Sequence, residues 1–284
     1  MKFENKESVN CWFSAGAASA VATKIALKES KLPVQVLNVF VKEEHPDNQR
    51  FLNDCEKWFG VPIIRLRDTK HNASIYEVYE REKFIASSAG AACTARLKRA
   101  IYNQHNSPDK IMVIGYTVEE KDRFEQLKEA FPEFLIWAPL IEHELSKEDC
   151  LAMVKRAKIE LPVMYKMGYQ NNNCIGCCKG GMGYWNKIRQ DFPEVFDRMV
   201  AMQEKLILTK KYVGRPIKIG HRNLCYFWKA EEGWDGSLKD LPIGRGNYPT
   251  EKSISCSIMC EISESKLNTE LPVITVYRKR PESK

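Results

Sequence analysis

The chain has 284 residues, 44% of them hydrophobic and 29% charged, the make-up of a soluble globular protein of one large domain or a domain with an appendage. No apolar run reaches the ~18 residues of a membrane span, and the opening Met1-Lys2-Phe3-Glu4-Asn5-Lys6-Glu7 lacks the apolar stretch of a secretory leader, so a cytoplasmic protein with no membrane partner is expected. The 44 Lys and Arg residues against 37 Asp and Glu leave a net charge of +7, compatible with a phosphate-rich partner and too small to demand one.

The elements then follow in chain order. Asn10-Cys11-Trp12-Phe13 reads as the end of a strand, and Ala17 to Lys28 as a helix of small residues. The near-continuous apolar run Val34 to Phe40 is the kind expected when both faces of a sheet are covered. Asp47 stands as N-cap before a helix carrying Phe51, Leu52, Cys55, Trp58 and Phe59 at helical spacing. Pro62 to Leu66 predicts a third strand and Ser74 to Phe84 a helix. Thr94 is placed to cap a helix reaching His105. Lys110 to Tyr116 predicts a strand, Glu119 to Phe131 a helix, Phe134 to Trp137 a strand, and Ser146 to Lys158 a helix. This rhythm predicts an α/β fold: a Rossmann-like, mostly parallel sheet with helices on both faces, filling residues 1–165. Its ligand belongs beyond the carboxyl ends of the strands.

After Leu161-Pro162 the character changes. A glycine- and asparagine-rich loop bearing cysteines spans 168–183, and helices follow to 206, so 166–206 forms a cysteine-rich segment completing the site. Residues 207–284 form a basic, aromatic, irregular C-terminal section with a strand-like stretch at 271–277 and a frayed tail over 278–284. Within it Lys210, Lys211, Tyr212, Arg215, Lys218, His221, Arg222 and Tyr226 to Lys229 interleave cations with aromatics. That is either a surface for stacking bases along a phosphate backbone or a solvated strand over core aromatics.

Between the first strand and first helix lies Ser14-Ala15-Gly16-Ala17-Ala18-Ser19. Small residues here allow close strand–helix packing; equally, they let an anion approach the free N–H groups and positive dipole end of the helix. The Gly-Lys-Ser/Thr ending of a Walker A loop is absent. Ten cysteines are many for a reducing compartment, where clusters indicate metal or redox chemistry. Cys11, Cys55, Cys150 and Cys225 sit singly among apolar neighbours as core residues. Cys174-Ile175-Gly176-Cys177-Cys178 is the sharpest feature, because a Cys-x-x-Cys turn presents two sulfurs to one metal. Cys93 precedes it, and Arg96, Lys98 and Lys179 bring positive charge nearby. The open readings are an iron–sulfur centre, zinc with Cys93, Cys174, Cys177 and Cys178, or a catalytic thiol at Cys177 or Cys178.

The turn, together with Glu43 to Asn48, Cys93 to Lys98 and Gly115 to Phe124, resembles the PP-loop superfamily of adenine nucleotide alpha-hydrolases. The likeness is nearest to the phosphoadenosine phosphosulfate reductase family of bacteria and phages, and covers roughly residues 8–200. The resemblance implies ATP or another adenine nucleotide, with Mg2+, held by Ser14, Ala15, Gly16, Ala17, Ser19, His45, Gly115 and Arg123. It also implies a 4Fe-4S cluster on Cys93, Cys174, Cys177 and Cys178, with zinc as the alternative. Ala15 and Ala18 stand where ATP-cleaving members have glycine and aspartate, and Ala92 where reductases have a second cysteine. Cys260 lacks the glycine and histidine that follow the reductases' C-terminal cysteine; Cys256 and Cys260 also read as packed side chains. The implied activity is a transferase that adenylates a substrate and moves sulfur, with tRNA or DNA as acceptor and a homodimer as assembly. The alternatives are an oxidoreductase acting on a sulfonucleotide, and a non-catalytic, metal-stabilised nucleic-acid-binding module.

Overall fold

A computed structural model describes residues 5–87, 90–212, 228, 234 and 236–254. Five parallel strands form the central sheet: β1 (Ser8–Trp12), β2 (Val34–Val39), β3 (Ile63–Leu66) and, after a small antiparallel pair β4 (Ala86–Ser87) and β5 (Gly90–Ala91), β6 (Lys110–Val113) and β7 (Leu135–Trp137). Their order is β3-β2-β1-β6-β7. The chain winds outward from β1 through β2 to β3, then returns to the other side of β1 to lay down β6 and β7. The order therefore reverses between β1 and β6, paired in register from Ser8 with Lys110 to Cys11 with Val113, and a crevice opens where the two connections part.

Period-two alternation assigns the strand side chains to two cores. Val9, Cys11, Phe13, Val36, Ile111 and Val113 pack on one face with α1 (Ala17–Glu29) and α2 (Asn48–Phe59). Trp12, Leu37, Val39, Met112 and Ile114 pack on the other with Tyr102 and Leu127. Cys11, Cys55 and Cys150 are fully buried in the first of these cores. The predicted α/β architecture is the one observed.

The remaining helices in chain order are α3 (Ile75–Glu82), α4 (Ala100–His105), α5 (Lys121–Ala130), α6 (Pro139–Glu142), α7 (Lys147–Arg156), α8 (Val163–Lys166), α9 (Met182–Asp191) and α10 (Pro193–Tyr212). Several boundaries differ from expectation for physical reasons. Thr94 does not cap a helix: a π-helical turn, Thr94–Arg99, precedes α4 with Cys93 at its cap position, and the buried Thr94 hydroxyl has no hydrogen-bond partner among the described residues. Asp47 occupies the cap position of α2 without bonding its N–H groups. Its carboxylate is drawn instead to Arg50 and to the Val163 N–H, 2.9 Å away, at the start of α8. Ser146 does cap α7, in a reciprocal box with Asp149.

A third core, set apart from the sheet, joins Tyr79 of α3, Cys174, Cys177 and Cys178, Tyr184 and Trp185 of α9, and Phe196 and Met199 of α10. Residues 236–254 strap onto this layer. The Leu238 N–H donates to Gln203 Oε1 (2.7 Å), and Asn186 Nδ2 donates to the Pro242 and Arg245 carbonyls. α10 runs through position 206, so the helical segment continues past the division placed there from sequence. Cys225, Cys256, Cys260, the 271–277 stretch, the tail and, but for Trp228, the cations and aromatics of 213–229 lie outside the described residues; so do the side chains of 210–212. Among the described residues no helix is long and apolar enough to cross a membrane.

Candidate functional site

A cleft of about 520 Å³ lies over the carboxyl ends of β1 and β6. One wall is the turn after β1: Ser14, Gly16, Ala17, Ala18 and Ser19 all line it. The Ser19 hydroxyl folds the turn back on itself, accepting from the Ser14 N–H (3.2 Å), donating to the Gly16 carbonyl (3.0 Å) and meeting Ser14 Oγ at 3.0 Å. α1 begins at Ala17 with extended Gly16 at its cap position, and the Ala17 N–H donates to the Tyr165 hydroxyl at 3.4 Å. The positive dipole end of this 13-residue helix, at Ala18 and Ser19, faces the cleft beside that phenol, an arrangement that suits an anion.

Gly115 supplies the opposite lip. A Cβ built there would stand 2.7 Å from both the Cα and the N of Ser19, so only glycine lets the end of β6 lie against the start of α1. Ala15 turns the corner with φ of +57°, a left-handed conformation that side chains disfavour. It is fully buried behind the lining. Its carbonyl accepts a hydrogen bond from Asn172 Nδ2 at 2.7 Å.

The far wall is apolar and aromatic. Trp12 and Tyr102 stack with centroids 3.8 Å apart and planes 23° apart, and Leu37, Val39, Ile114 and Tyr116 continue the surface. Such a wall suits a flat heterocycle. Around the mouth stand Glu119, Glu120, Glu148, Arg123 and Lys147. Arg123 pairs with Glu120 and lies 5.0 Å from the centre of the Tyr116 ring. Burial lowers the Lys147 pKa, while Glu120 and other carboxylates oppose the shift.

An amide network ties this cleft to the cysteine loop. Asn172 spends both amide hydrogens, on the Ala15 carbonyl and on Asn48 Oδ1 (2.8 Å), and Asn48 Nδ2 donates to Glu44 at 3.3 Å. The orientation of Asn172 is thereby fixed, and its buried Oδ1 has no hydrogen-bond partner among the described residues. Glu44 also meets Lys98 Nζ at 3.6 Å. Burial raises the Glu44 pKa against the opposing charge of Lys98. Both residues line the cleft on one side, and the Lys98 charge reaches Cys177 on the other.

The four expected cysteines share one core with Tyr79 and Tyr184. Cys93, Cys177 and Cys178 form a hydrogen-bonded thiol chain, joined by the Tyr79 hydroxyl 3.4 Å from Cys93 Sγ. Hydrogen bonding to Cys178 brings Cys177 down to about 7 against burial, helped by the Lys179 N–H and by the charges of Lys179 and Lys98. Cys93 is lowered chiefly by the same partner, and Cys178, which donates to both, is raised. Cys174 borders a separate small cavity with Tyr169, Tyr184 and Tyr248. The Tyr184 hydroxyl holds the loop: it accepts from the Gly176 and Cys177 N–H groups, both at 3.0 Å, and donates to the Cys174 carbonyl at 3.2 Å. Among the described residues no three His, Cys, Asp or Glu side chains are grouped to hold a metal ion. As arranged, the set does not fit a four-thiolate centre, so no step is drawn through one.

Of the residues singled out from sequence, Ser14, Gly16, Ala17, Ser19, Gly115 and Arg123 line the cleft. Ala15 shapes it from behind. His45 lies outside the lining: its Nδ1 accepts from the Asp47 N–H (3.1 Å) and its ring meets Phe192 edge-on. None of the four cysteines lines the cleft; the loop that carries them begins at its wall, with Asn172 and Asn173. Arg96 is committed to Glu82. Sequence reasoning missed Tyr165, Lys147, Asn171 to Asn173 and Lys252 to Ile254. The amide run Gln170-Asn171-Asn172-Asn173 was the available signal, since four consecutive amides supply more hydrogen bonds than a plain loop uses. Comparison of the sequence with protein-family models and with curated proteins finds no match in either.

Proposed function

We propose that this chain is an adenine-nucleotide-dependent enzyme of sulfur chemistry, resembling the phosphoadenosine phosphosulfate reductase family in fold and turn. The observation that carries the reading is the cleft at the point of strand reversal, where the start of α1 adjoins an aromatic wall. Phosphates fit the first and a purine the second. The loop from Asn172 to Cys178 supports the sulfur half, because it runs from the Ala15 carbonyl to a thiol set in which Cys177 is drawn down to about 7. A thiol of that acidity is substantially thiolate at neutral pH, the nucleophilic form.

In this reading a substrate oxygen attacks the α-phosphorus of ATP and pyrophosphate departs. The adenylated carbon is then open to a sulfur nucleophile, and AMP leaves as the carbon–sulfur bond forms. Backbone N–H groups of α1 beyond Ala17 hold the phosphates, the stacked Trp12 and Tyr102 wall lies against the base, and Cys177 with Cys178 handles sulfur beside Lys98. A tRNA or DNA acceptor is part of the proposal, consistent with the +7 charge.

The test is calorimetric binding of ATP and of adenylyl sulfate, followed by product analysis with a thiol donor. Micromolar binding of ATP with release of AMP and pyrophosphate supports the proposal. Sulfite from adenylyl sulfate would replace it with the reductase reading, and no binding of either nucleotide would overturn it.

A further inference from the structure

We propose that Lys252, on the strap that follows α10, is the cation that grips the ligand's phosphate chain; this rests on the reading of the cleft as a nucleotide site. The turn Ser14–Ser19 carries no positive side chain, so a polyphosphate held there needs charge from elsewhere. Among the described residues four cations line the cleft: Lys98, Arg123, Lys147 and Lys252. Three are committed. Lys98 pairs with Glu44, Arg123 with Glu120, and Lys147 with the Gln170 carbonyl and Asn171 Oδ1. Among the described residues Lys252 makes no ion pair or hydrogen bond, and it is exposed to the cleft.

The backbone around Lys252 is nevertheless fixed. Before it, the Glu251 carboxylate accepts from the Gly183 and Tyr184 N–H groups at 2.6 and 3.0 Å, capping α9. After it, Asn171 Nδ2 donates to Ser253 Oγ and to the Ile254 carbonyl, and Asn173 Nδ2 donates to the same carbonyl at 2.9 Å. Alternate residues of one short segment thus serve two walls, Asn171 and Asn173 holding the strap and Asn172 holding the phosphate turn. A lysine on an anchored backbone loses only its own rotamer freedom on meeting a phosphate, which favours binding over the same charge on a loose chain.

The test measures binding of inorganic tripolyphosphate, ATP and adenosine to the wild type, Lys252→Ala, Lys252→Arg and, as a control for general surface charge, Lys128→Ala. The expected result is a loss of about ten-fold for tripolyphosphate and ATP in Lys252→Ala. Adenosine binding should stay unchanged, Lys252→Arg should stay near wild type, and Lys128→Ala should have no effect. Equal unfolding midpoints establish that all four proteins fold. If Lys252→Ala binds ATP and tripolyphosphate as the wild type does, the inference fails while the nucleotide reading stands. If the wild type holds tripolyphosphate through Lys252 but gains nothing from the adenosine moiety, the adenine reading fails and Lys252 remains an anion contact. A wild type that binds neither overturns both.

Discussion

The phosphate turn and the cysteine loop are built from similar small residues, yet they end in opposite states. Around Ser14 to Ser19 the hydroxyls satisfy one another and, among the described residues, the helix start meets only the Tyr165 hydroxyl, at 3.4 Å from the Ala17 nitrogen, at the edge of the cleft. Around Cys174 to Cys178 a single phenol closes the turn from inside, taking two N–H groups and giving its proton to a carbonyl. The difference lies in what packs behind each turn. The first rests on sheet strands whose ends stop short of it; the second is sealed by α9, whose Tyr184 and Trp185 are almost fully buried. Small residues make a tight turn possible, and their neighbours decide whether it stays open to a ligand.

The largest effect expected from breaking this contrast is on the closed side. Tyr184→Phe keeps the ring but strands the Gly176 and Cys177 N–H groups in a buried site. At about 1 to 3 kcal/mol for a buried polar group left unpaired, the variant should lose on the order of 3 kcal/mol, read by urea unfolding, with faster alkylation of Cys177. A loss below about 1 kcal/mol would mean that water reaches the loop and that it is not closed. On the open side, Gly115→Ala forces a methyl group against the Ser19 backbone. Overpacking of this kind costs about 1 to 3 kcal/mol, and because the helix start must retreat, nucleotide affinity should fall by more than the stability does. Unchanged affinity would show that the lip formed by Gly115 does not set the site.

Much of the open side was legible in the sequence, because β1, the small-residue turn and α1 are consecutive and their periodicity is local. Gly115 was also readable, as a glycine ending an apolar strand. The thiol set was legible only as a cluster. Which cysteines meet depends on Tyr79, which reaches the loop from the distant α3, and on Tyr184, only seven to ten positions further on but on the next helix, and nothing in the Cys-x-x-Cys-Cys spacing says that Cys174 borders a small cavity. His45 stood in the right segment, yet Glu44 beside it reaches the cleft, a one-residue difference in direction that a loop does not encode by period. The strap was the least readable part: Lys252 enters the site through Glu251 and the Gln170–Asn173 amides, contacts spanning about eighty positions.

The smallest effect is the most discriminating about the turn itself. Ala15→Gly removes a residue at φ of +57°, where a side chain costs about 1 to 2 kcal/mol. Against that relief stand the extra freedom of glycine in the unfolded chain, about 0.5 to 1 kcal/mol, and the loss of one buried methyl group, about 0.8 kcal/mol. The terms nearly cancel, so stability should stay within about 0.5 kcal/mol of the wild type. Had Ala15 been relaxed, only the two losses would remain, and the variant would fall by about 1.5 kcal/mol. Urea unfolding separates the two cases. A near-zero change means that strain is held at the corner where the turn meets Asn172, the place where distortion serves ligand binding rather than folding; a loss above about 1 kcal/mol means that the corner is at rest and the turn owes its shape to packing alone.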